Sequence, residues 1–469
     1  MYNIRLAAVL LAALIFLTSP LALAEGADIT IDEAFDSGRI VFRETEMDWG
    51  LKDAEIIVPE RYWNVMNVDY MTDAELRTSL EVTWEDAGLP MSISPSGTLL
   101  FLEGAAALRD GRLTLLCPNP DRGVADEYGN MASYLSLQIG RGNRIGNEGV
   151  TWSPDGRYFV ATNYSKIFNG DIYCFPILMD TETGDMILTA AYESSRIGGM
   201  ENAMISACFS QDERYLYYIL WSRGAFPKRY SLMRYELETE KTETCLSIEA
   251  EEYEICPSPL IILSDGSILS ASLRLEPHCY GITRFVEKDG EWSCEFHNFL
   301  LEQSWAVGLL TDNQIIAMSR YIPWTNTNFL QVIRPNEDYA GIDEFWCIDG
   351  STKQLIKISE TDLNALIDIE QSDKDIKDKR ALFKELIGKY NPAMICSIHA
   401  LSPDSQYLLI ENGDWFCIRL SDMTAVPVQF EQLPSSDWLD YADGYVWTDA
   451  GLLRERNGIG KSFYIVSGD

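Results

Sequence analysis

The chain has 469 residues and a formal net charge of −35 at pH 7, with 72 acidic and 37 basic residues. Such a balance repels nucleic acid and anionic membrane surfaces, so we expect neither as a partner. An apolar content of 46% excludes a disordered chain. The 12 Trp, 23 Tyr and 18 Phe residues favour strands over helices.

Residues 1–24 have the pattern of a secretory signal peptide. Arg5 precedes an apolar run over 6–17, Pro20 follows, and residues 22–24 read Ala-Leu-Ala, an A-x-A cleavage site. An uncleaved transmembrane anchor is the alternative, because the apolar run nearly spans a bilayer. Pro20 and the small residues at the site favour cleavage. We therefore expect an extracellular or cell-envelope protein with no membrane span after cleavage.

One tight turn recurs along the chain between short apolar runs. In Ser153-Pro154-Asp155-Gly156, Pro fixes φ, Asp bonds to its own backbone and Gly accepts a left-handed conformation. The flanking runs make this a β-hairpin. Related turns begin at Ser94, Ser210, Ser264, Thr311, Ser402 and, in degenerate form, Ala442. The spacing is roughly 40 to 60 residues with one step of roughly 90, which is typical of a repeat architecture.

A second hairpin follows most of these turns, as at 180–185 and at Asn457-Gly458. Two successive hairpins form a four-stranded antiparallel meander, and repeated meanders are typical of a β-propeller. We predict an all-β propeller over residues 84–469, with about seven four-stranded antiparallel blades and with six or eight as alternatives. Residues 25–83, with strand-like runs at 39–43 and 55–58 and a capping box at 72–75, are expected to close the ring or to form a partial blade.

The longest step between repeats predicts a helical insertion near residues 360–390. Ser359 with Asp362 and Ser372 with Asp375 have capping-box spacing. An apolar stripe follows at 382–387. We expect the helices to pack on the side of the propeller, and a partner-docking role is the alternative.

The ten cysteines allow disulfides in an exported chain, but their spacing favours free thiols for three of them. Cys174, Cys347 and Cys417 each follow an aromatic residue in an apolar strand. If these strands are equivalent elements of different repeats, they lie too far apart to bond one another. The other seven cysteines stay open.

The Ser-Pro-Asp-Gly turns resemble the repeats of WD-repeat-like and TolB-type propellers. The resemblance covers most of residues 84–469, although the Trp-Asp dipeptide that closes many WD repeats is missing from the strand ends. It implies that the first strand of each repeat lines the central axis and that the repeat turns share one face, here called the first face. Loops between second and third strands, and between repeats, then share the opposite or second face.

The second face is predicted to carry a cationic, aromatic mouth. Such a mouth suits an anionic ligand or an acidic or glycan-bearing protein, because Arg provides bidentate contacts. The alternative is that polar loops merely hold basic residues. The candidate ligand-binding residues are Arg144, Arg196, Arg223, Lys228, Arg229, Arg274, His278, Arg320, Tyr321 and Trp324.

Motifs for catalysis, metals or cofactors are weak in this sequence. There is no GxSxG elbow, no HExxH and no phosphate-cradling glycine loop, so we predict no cofactor and no metal site. Four glutamates of the loops between repeats would form a carboxylate ring for a cation, but one acidic residue per loop is near chance in so acidic a chain: Glu148, Glu201, Glu254 and Glu302. Of the three histidines, His399 ends a predicted first strand, where it faces either the axis or the core.

These observations predict an exported, monomeric β-propeller that acts as a non-catalytic binding or scaffold module. Its ligand or protein partner is expected at the loop face around the axis. The leading alternative is a propeller hydrolase that acts on a glycan or lactone at an axial pocket, because 72 acidic residues offer many carboxylate pairs. A purely structural envelope protein is a third hypothesis.

Overall fold

The structure is a computed structural model that describes residues 29–46, 49–51, 53–60, 90, 92–101, 106–118, 150–161, 165–168, 171–174, 177–189, 203–222, 228–250, 253–255, 260–263, 265–274, 279–298, 306–307, 316–322, 327–333, 343–392, 397–402, 404, 406–411, 413–431, 444–448, 450–456 and 459–467. This part of the chain is mostly β-strand, as predicted. Within it, no helix has the length and apolar character needed to cross a membrane. The predicted signal peptide and the capping box at 72–75 lie outside the described residues.

The N-terminal segment begins with a helix that the sequence analysis missed. Helix α1 (Ile31–Asp36) starts at Thr30, whose hydroxyl accepts a hydrogen bond from the Glu33 N–H, while the Glu33 carboxylate accepts one from the Thr30 N–H. This reciprocal pair is a capping box. Strands β1 (Ile40–Thr45) and β2 (Glu55–Ile57) follow, close to the predicted runs.

The remaining strands form meanders, meaning up-and-down runs of antiparallel strands. The first meander contains β3 (Ser92–Ile93), β4 (Leu99–Phe101), β5 (Ala106–Arg109) and β6 (Arg112–Leu115), and β7 (Cys117–Pro118) comes next. The second contains β8 (Val150–Trp152), β9 (Tyr158–Ala161), then the separate hairpin β10 (Ser165–Phe168) and β11 (Asp171–Cys174), then β12 (Ile177–Asp180) and β13 (Asp185–Leu188). The third contains β14 (Ala203–Phe209), β15 (Tyr215–Ser222), β16 (Lys228–Glu236) and β17 (Lys241–Ala250).

The later meanders repeat this order with small changes. The fourth contains β18 (Tyr253–Ile255) and β19 (Ile261–Ile262), which both pair with β20 (Ile268–Arg274), followed by β21 (Cys279–Lys288) and β22 (Glu291–Asn298). The fifth contains β23 (Ala306–Val307), β24 (Ile316–Ile322), β25 (Thr327–Ile333), β26 (Asp343–Ile348) and β27 (Leu355–Lys357). The sixth contains β28 (Ser397–Leu401), β29 (Tyr407–Glu411), β30 (Trp415–Arg419) and β31 (Thr424–Glu431), and the seventh β32 (Gly444–Thr448), β33 (Gly451–Arg456) and β34 (Ile459–Ser467).

Neighbouring meanders meet through their first strands. Strand β8 contacts β14, β14 contacts β19, and β28 contacts β32. Strand β3 of the first meander contacts β32 of the seventh, so the two ends of the chain of meanders are adjacent. First strands at the centre, with the other strands outside them, are the arrangement of a β-propeller.

The apolar core lies between successive sheets. One cluster joins Ile93 and Leu99 of the first meander to Leu453 and Phe463 of the seventh. Similar clusters lie between the second and third, third and fourth, fifth and sixth, and sixth and seventh meanders. At the boundary of the first and second meanders, Trp152 Nε1 donates to Ser92 Oγ at 2.9 Å. A sheet that lies between two neighbouring sheets is covered on both faces, which explains why the sequences of its strands are continuous apolar runs.

Strand β1 joins the sixth and seventh meanders into one eight-stranded sheet. It pairs in parallel with β31 and antiparallel with β34. Two other meanders carry a similar parallel strand on the outer edge, because β2 pairs with β6 and β7 pairs with β13. The helix before β1 is anchored on the sixth meander, where the Tyr407 hydroxyl donates to Asp32 and Arg419 Nη1 lies 3.0 Å from Asp36 Oδ1.

The recurring turns contact one another on the first face. Ser96 Oγ donates to the Asp155 carbonyl oxygen at 2.7 Å, and the Asp155 N–H donates to the Glu213 carboxylate. The turn of the second hairpin lies beside them, because the Thr181 N–H donates to the Arg157 carbonyl oxygen at 2.9 Å. Both kinds of turn therefore share a face, as the resemblance implies.

The position of the helical insertion was predicted correctly. The N-cap of its second helix was not. Helices α2 (Glu360–Gln371) and α3 (Ile376–Gly388) follow β27. Ser359 caps α2 as expected, but α3 is capped by Asp375, and Ser372 is the C-cap of α2. Ser372 Oγ donates back to the Ile369 carbonyl oxygen, so it closes the preceding helix instead of opening a new one. Leu366, Phe383 and Ile387 of the helices pack with Phe345 of β26.

The free-thiol prediction is confirmed for Cys347 and Cys417, which are buried and form no disulfide. Cys174 lies in β11, and its side chain is outside the described ones. Among the cysteines left open, Cys117 and Cys208 are buried free thiols, and Cys245 and Cys294 are half-buried free thiols.

Candidate functional site

The predicted mouth residues fall into three groups. Arg144, Arg196, Arg223, His278 and Trp324 lie outside the described residues. Lys228, Arg274, Arg320 and Tyr321 are described by their backbones, which pair with Ala250, Cys279, Phe329 and Asn328 at strand ends beside loops of the second face. Only Arg229 among the ten has a described side chain. The cationic mouth therefore stays a prediction.

Arg229 is exposed and ion-paired across its own hairpin. Its Nη2 lies 2.6 Å from Glu249 Oε1, with both side chains more than half exposed. Lys353 Nζ lies 3.1 Å from Asp414 Oδ2 and links the fifth and sixth meanders on the same face. Exposed pairs of this kind contribute about 0–1 kcal/mol, so they can exchange partners with an incoming ligand.

A compact group of chemistry-bearing side chains lies where the sixth and seventh meanders meet. We call His399, Glu411, Trp415 and Tyr445 the axial cluster. His399 is the middle residue of the first strand β28, and Tyr445 is the second residue of the first strand β32. Glu411 and Trp415 flank the loop from β29 to β30. Starts of first strands and loops between second and third strands belong to the second face.

A β-bulge turns His399 toward this group. Ile398 pairs with Ile410 and Ala400 pairs with Leu409, so His399 is the extra residue between them. Bulges bend a strand and redirect a side chain, and they are common next to functional sites. The bulge brings the imidazole to Glu411, with Nε2 3.1 Å from Oε2.

The rings of the axial cluster pack in a tilted pair within the sixth meander and edge to face with Tyr445 across the boundary to the seventh. The ring centroids of His399 and Trp415 lie 4.5 Å apart, and those of Trp415 and Tyr445 lie 5.1 Å apart. Phe430 supports Trp415 from β31 at 5.1 Å, and Phe42 of β1 stacks on Phe430 at 5.6 Å. Tilted and T-shaped pairs contribute about 0.5–1.5 kcal/mol each beyond their buried area.

The axial cluster remains partly open to solvent at its polar end. The side chain of His399 is 16% exposed and that of Glu411 is 43% exposed. Burial raises the pKa of Tyr445 to about 12, so its hydroxyl stays protonated at neutral pH. A carboxylate, an imidazole and ring surfaces together can accept hydrogen bonds, exchange a proton and cover an apolar ligand face.

The outcome for His399 combines the two alternatives raised from the sequence. The imidazole is hydrogen-bonded to Glu411 and packed on Trp415, and it belongs to a first strand of its meander. Sequence reasoning missed Glu411, Trp415 and Tyr445. Glu411 did have a signal in the hairpin, because counting outward from the turn at Ser402 along both strands places positions 409 to 411 opposite His399. Trp415 follows at the start of the next strand.

Metal ligands do not gather in the described part of the chain, where no group of three or more His, Cys, Asp or Glu side chains could hold a metal ion. Of the four loop glutamates, Glu254 is described by its backbone in β18, and Glu148, Glu201 and Glu302 lie outside the described residues.

Comparison with known proteins does not assign the chain to a family, because no family model and no curated protein matches it. Among solved structures, it is similar to oligogalacturonate lyase from Vibrio parahaemolyticus, with 15% identity over 69% of this chain and 90% of that one, at a TM-score of 0.34. It is also similar to the β-propeller domain of the Trilobed protease from Pyrococcus furiosus, with 13% identity over 68% and 78% and a TM-score of 0.36. A third similar structure is prolyl oligopeptidase B from Galerina marginata, with 12% identity over 59% of this chain and 33% of that one, at a TM-score of 0.34.

Proposed function

We propose that the chain is an exported, monomeric β-propeller of about seven blades that binds a ligand or protein partner on its second face without catalysis of its own. The observation that carries the proposal is the axial cluster. It brings together the imidazole of a first strand, the carboxylate of a second strand and the indole of a third strand at the second face of the sixth meander, where a ligand on that face would meet them.

The proposed number of blades treats the eight-stranded sheet as two blades that meet at β1. Strands β28 to β31 then form one four-stranded blade, and β32 to β34 with β1 form the next. Closure of the last blade by an N-terminal strand leaves the ring without a free seam.

The chemistry of the axial cluster favours a glycan-bearing ligand. Trp415 and His399 offer ring surface, and the Glu411 carboxylate accepts hydrogen bonds from hydroxyl groups. Arginines of the predicted mouth, such as Arg229, add bidentate contacts to an acidic group if their present partners release them.

Partner capture tests this proposal. Tagged protein is incubated with the native secreted fraction and with a panel of immobilised glycans. We expect Trp415→Ala to lower recovery of the bound glycan or protein by about tenfold, because loss of an aromatic contact of about 1.4 kcal/mol corresponds to a tenfold change in affinity. The matched control is Trp292→Ala, a half-buried tryptophan on β22 near the first face. Equal recovery by the two variants would remove the axial cluster from the binding site.

Charge reversal at Arg223, Arg229 and Arg320 tests the cationic mouth separately. We expect the triple reversal to lose acidic partners while it keeps neutral glycans that depend on Trp415. Unchanged partners would clear these three arginines of a role in binding.

A second candidate function, hydrolysis of a glycan or lactone, is favoured by one observation. His399 Nε2 and Glu411 Oε2 lie 3.1 Å apart at the solvent-facing end of the cluster, and such a pair can act in general acid–base catalysis. Any glycan or lactone that the protein binds is incubated with it, and products are measured by mass spectrometry. Turnover that is lost in Glu411→Gln, with binding retained, would support the hydrolase. Binding without turnover would support the non-catalytic binding function instead of the hydrolase.

A further inference from the structure

The third meander ends in a long outer strand with one side uncovered. Strand β17 pairs with β16 along its length, and in the described part of the chain no strand lies on its other side. The opposite edge of this sheet is β14, which contacts the first strands of both neighbouring meanders. The uncovered edge is therefore at the periphery, where a partner can reach it.

The chain itself covers the equivalent edge in three other meanders. Strand β1 lies in parallel on β31, β2 lies on β6, and β7 lies on β13. The pairing of β1 with β31 uses four registered residue pairs, from Ile40 with Val428 to Arg43 with Glu431. A short parallel strand on an outer edge is thus a recurrent feature of this fold.

Two of these added strands bring an ion pair to the strand that they cover. Arg43 of β1 is registered with Glu431 of β31, and its Nε lies 3.1 Å from Glu431 Oε2. Glu55 of β2 is registered with Arg112 of β6, with 3.7 Å between Arg112 Nε and Glu55 Oε2. Side chains of opposite charge on directly paired residues stabilise a sheet edge.

The edge of β17 has the features that permit strand addition. A bulge at Cys245 divides it, and residues 246–250 form a regular stretch after that bulge. This stretch contains no proline and no lysine, which are the residues that natural edges use to prevent pairing. Ser247 and Glu249 are exposed, while Leu246 and Ile248 are half-buried against the apolar core.

We propose that residues 246–250 of β17 accept an extended, basic segment of a partner protein as a parallel fifth strand. A Lys or Arg of that segment would pair with the Glu249 carboxylate beside Arg229, as Arg43 pairs with Glu431. Backbone hydrogen bonds supply the affinity in this mode, and the charge supplies the preference. A second copy of the chain is disfavoured as the occupant, because each copy carries a net charge of −35.

A synthetic peptide tests the proposal on the intact protein. The probe is a fluorescein-labelled acetyl-Val-Lys-Val-Lys-Val-Lys-Val-amide, and its control has proline in place of two internal valines, so the charge is equal but a strand cannot form. Binding is measured by anisotropy, and the site is located by amide hydrogen exchange. We expect protection of residues 246–250 by the probe alone. Equal binding of the proline peptide, or protection elsewhere, would overturn the proposal.

A pair of matched variants separates the edge from general charge effects. Ser247→Lys adds a cation on the uncovered strand, and Gln429→Lys adds one at an exposed position of β31, which β1 already covers. We expect Ser247→Lys to weaken binding of the probe peptide at least roughly tenfold and Gln429→Lys to change its affinity less than about twofold. The added lysine repels the lysines of the peptide only where the two strands pair. Equal effects would assign the binding to overall charge. A dimer that protects the same residues in sedimentation and exchange experiments would assign the edge to a second copy, which also contradicts the proposal.

Discussion

Gly156 shows how one residue of a recurring turn acquires a second task. Its φ is +69°, a conformation that L side chains rarely adopt. A Cβ here would also overlap the hydroxyl oxygens of Ser94, Ser96 and Thr98 in the neighbouring meander. The turn in the second meander is thus packed directly against the equivalent turn in the first, and glycine serves both backbone and packing.

Replacing Gly156 by alanine should cost more stability than the same change at Gly266. Gly266 occupies the equivalent turn position in the fourth meander with φ +81°, and a Cβ there meets no atom within 4 Å. We expect Gly266→Ala to lower the free energy of unfolding by about 1 kcal/mol and Gly156→Ala by at least about 2 kcal/mol, because only the latter adds crowding. Urea denaturation of both variants measures the difference. Equal losses would contradict the turn-to-turn contact.

The buried thiols should be chemically silent in the native protein. Burial raises the pKa of Cys347 to about 12 and that of Cys417 well above its ordinary value. The thiolate is the reactive form, so iodoacetamide at pH 8 should leave both unmodified in the folded state and modify both in denaturant. Peptide mass spectrometry distinguishes the two states. Rapid native modification of Cys417 would contradict its position in the core.

At this scale, the sequence predicts turns better than it predicts the site. The Ser-Pro-Asp-Gly hairpins are local, since four residues determine them. The contact of His399 with Trp415 and Tyr445 depends on a bulge and on a neighbouring meander. Neither the bulge nor the boundary between meanders has a local residue pattern, which is why only His399 was singled out.

Among the elements, the helical insertion is held together by a buried carboxylate. Asp362 accepts hydrogen bonds from Lys389, Ser359 and Tyr390, and it therefore ties the start of α2 to the end of α3. Capping-box spacing located the first helix, but it gave Ser372 the role that Asp375 has. Ser372 and Asp375 have the spacing of a capping box although Ser372 ends one helix and Asp375 begins the next. Only the backbone conformation shows which of the two residues is the N-cap.

The insertion should loosen in acid through Asp362. Hydrogen bonds from Lys389, Ser359 and Tyr390 lower the pKa of Asp362 from 3.8 to about 2. A carboxyl whose folded-state pKa is lowered stabilises the fold above its unfolded pKa and stops doing so as the pH falls through the folded value. We expect the amide protection factors over 360–390, which correct for the intrinsic pH dependence of exchange, to fall between pH 4 and 2 in the native protein. Asp362→Asn should show lower protection factors than wild type above pH 4 and lose this transition, whereas Asp368→Asn, at an exposed position, should behave as wild type.

At the scale of the whole molecule, β1 is the element that fastens the ring. Phe42 is fully buried, with its ring 5.6 Å from Phe430 and 5.5 Å from Trp447. We expect Phe42→Ala to lower the free energy of unfolding by about 3–5 kcal/mol through the cavity that it leaves. Arg43→Ala removes an exposed ion pair beside it and should cost less than about 1 kcal/mol. Chemical denaturation checks both values, and similar losses would show that β1 contributes little packing.

The repeated meanders, their order and the side insertion could all be predicted from the sequence, because repetition multiplies a weak signal. The closing role of β1 could not. Its strand propensity is visible in residues 40–45, but its partners are chosen by the geometry of the closed ring.

This fastening has a consequence for biosynthesis. Arg43 and Glu431 are 388 residues apart in sequence, and Val41 pairs with Ser467, so the contacts of β1 raise the contact order of the chain. During translation, β1 leaves the ribosome early and then waits for nearly all of the remaining residues before its partners exist. Its exposed backbone is open to misassembly throughout that interval, and nascent chains of this protein are therefore expected to depend on a chaperone until the last sheet is complete.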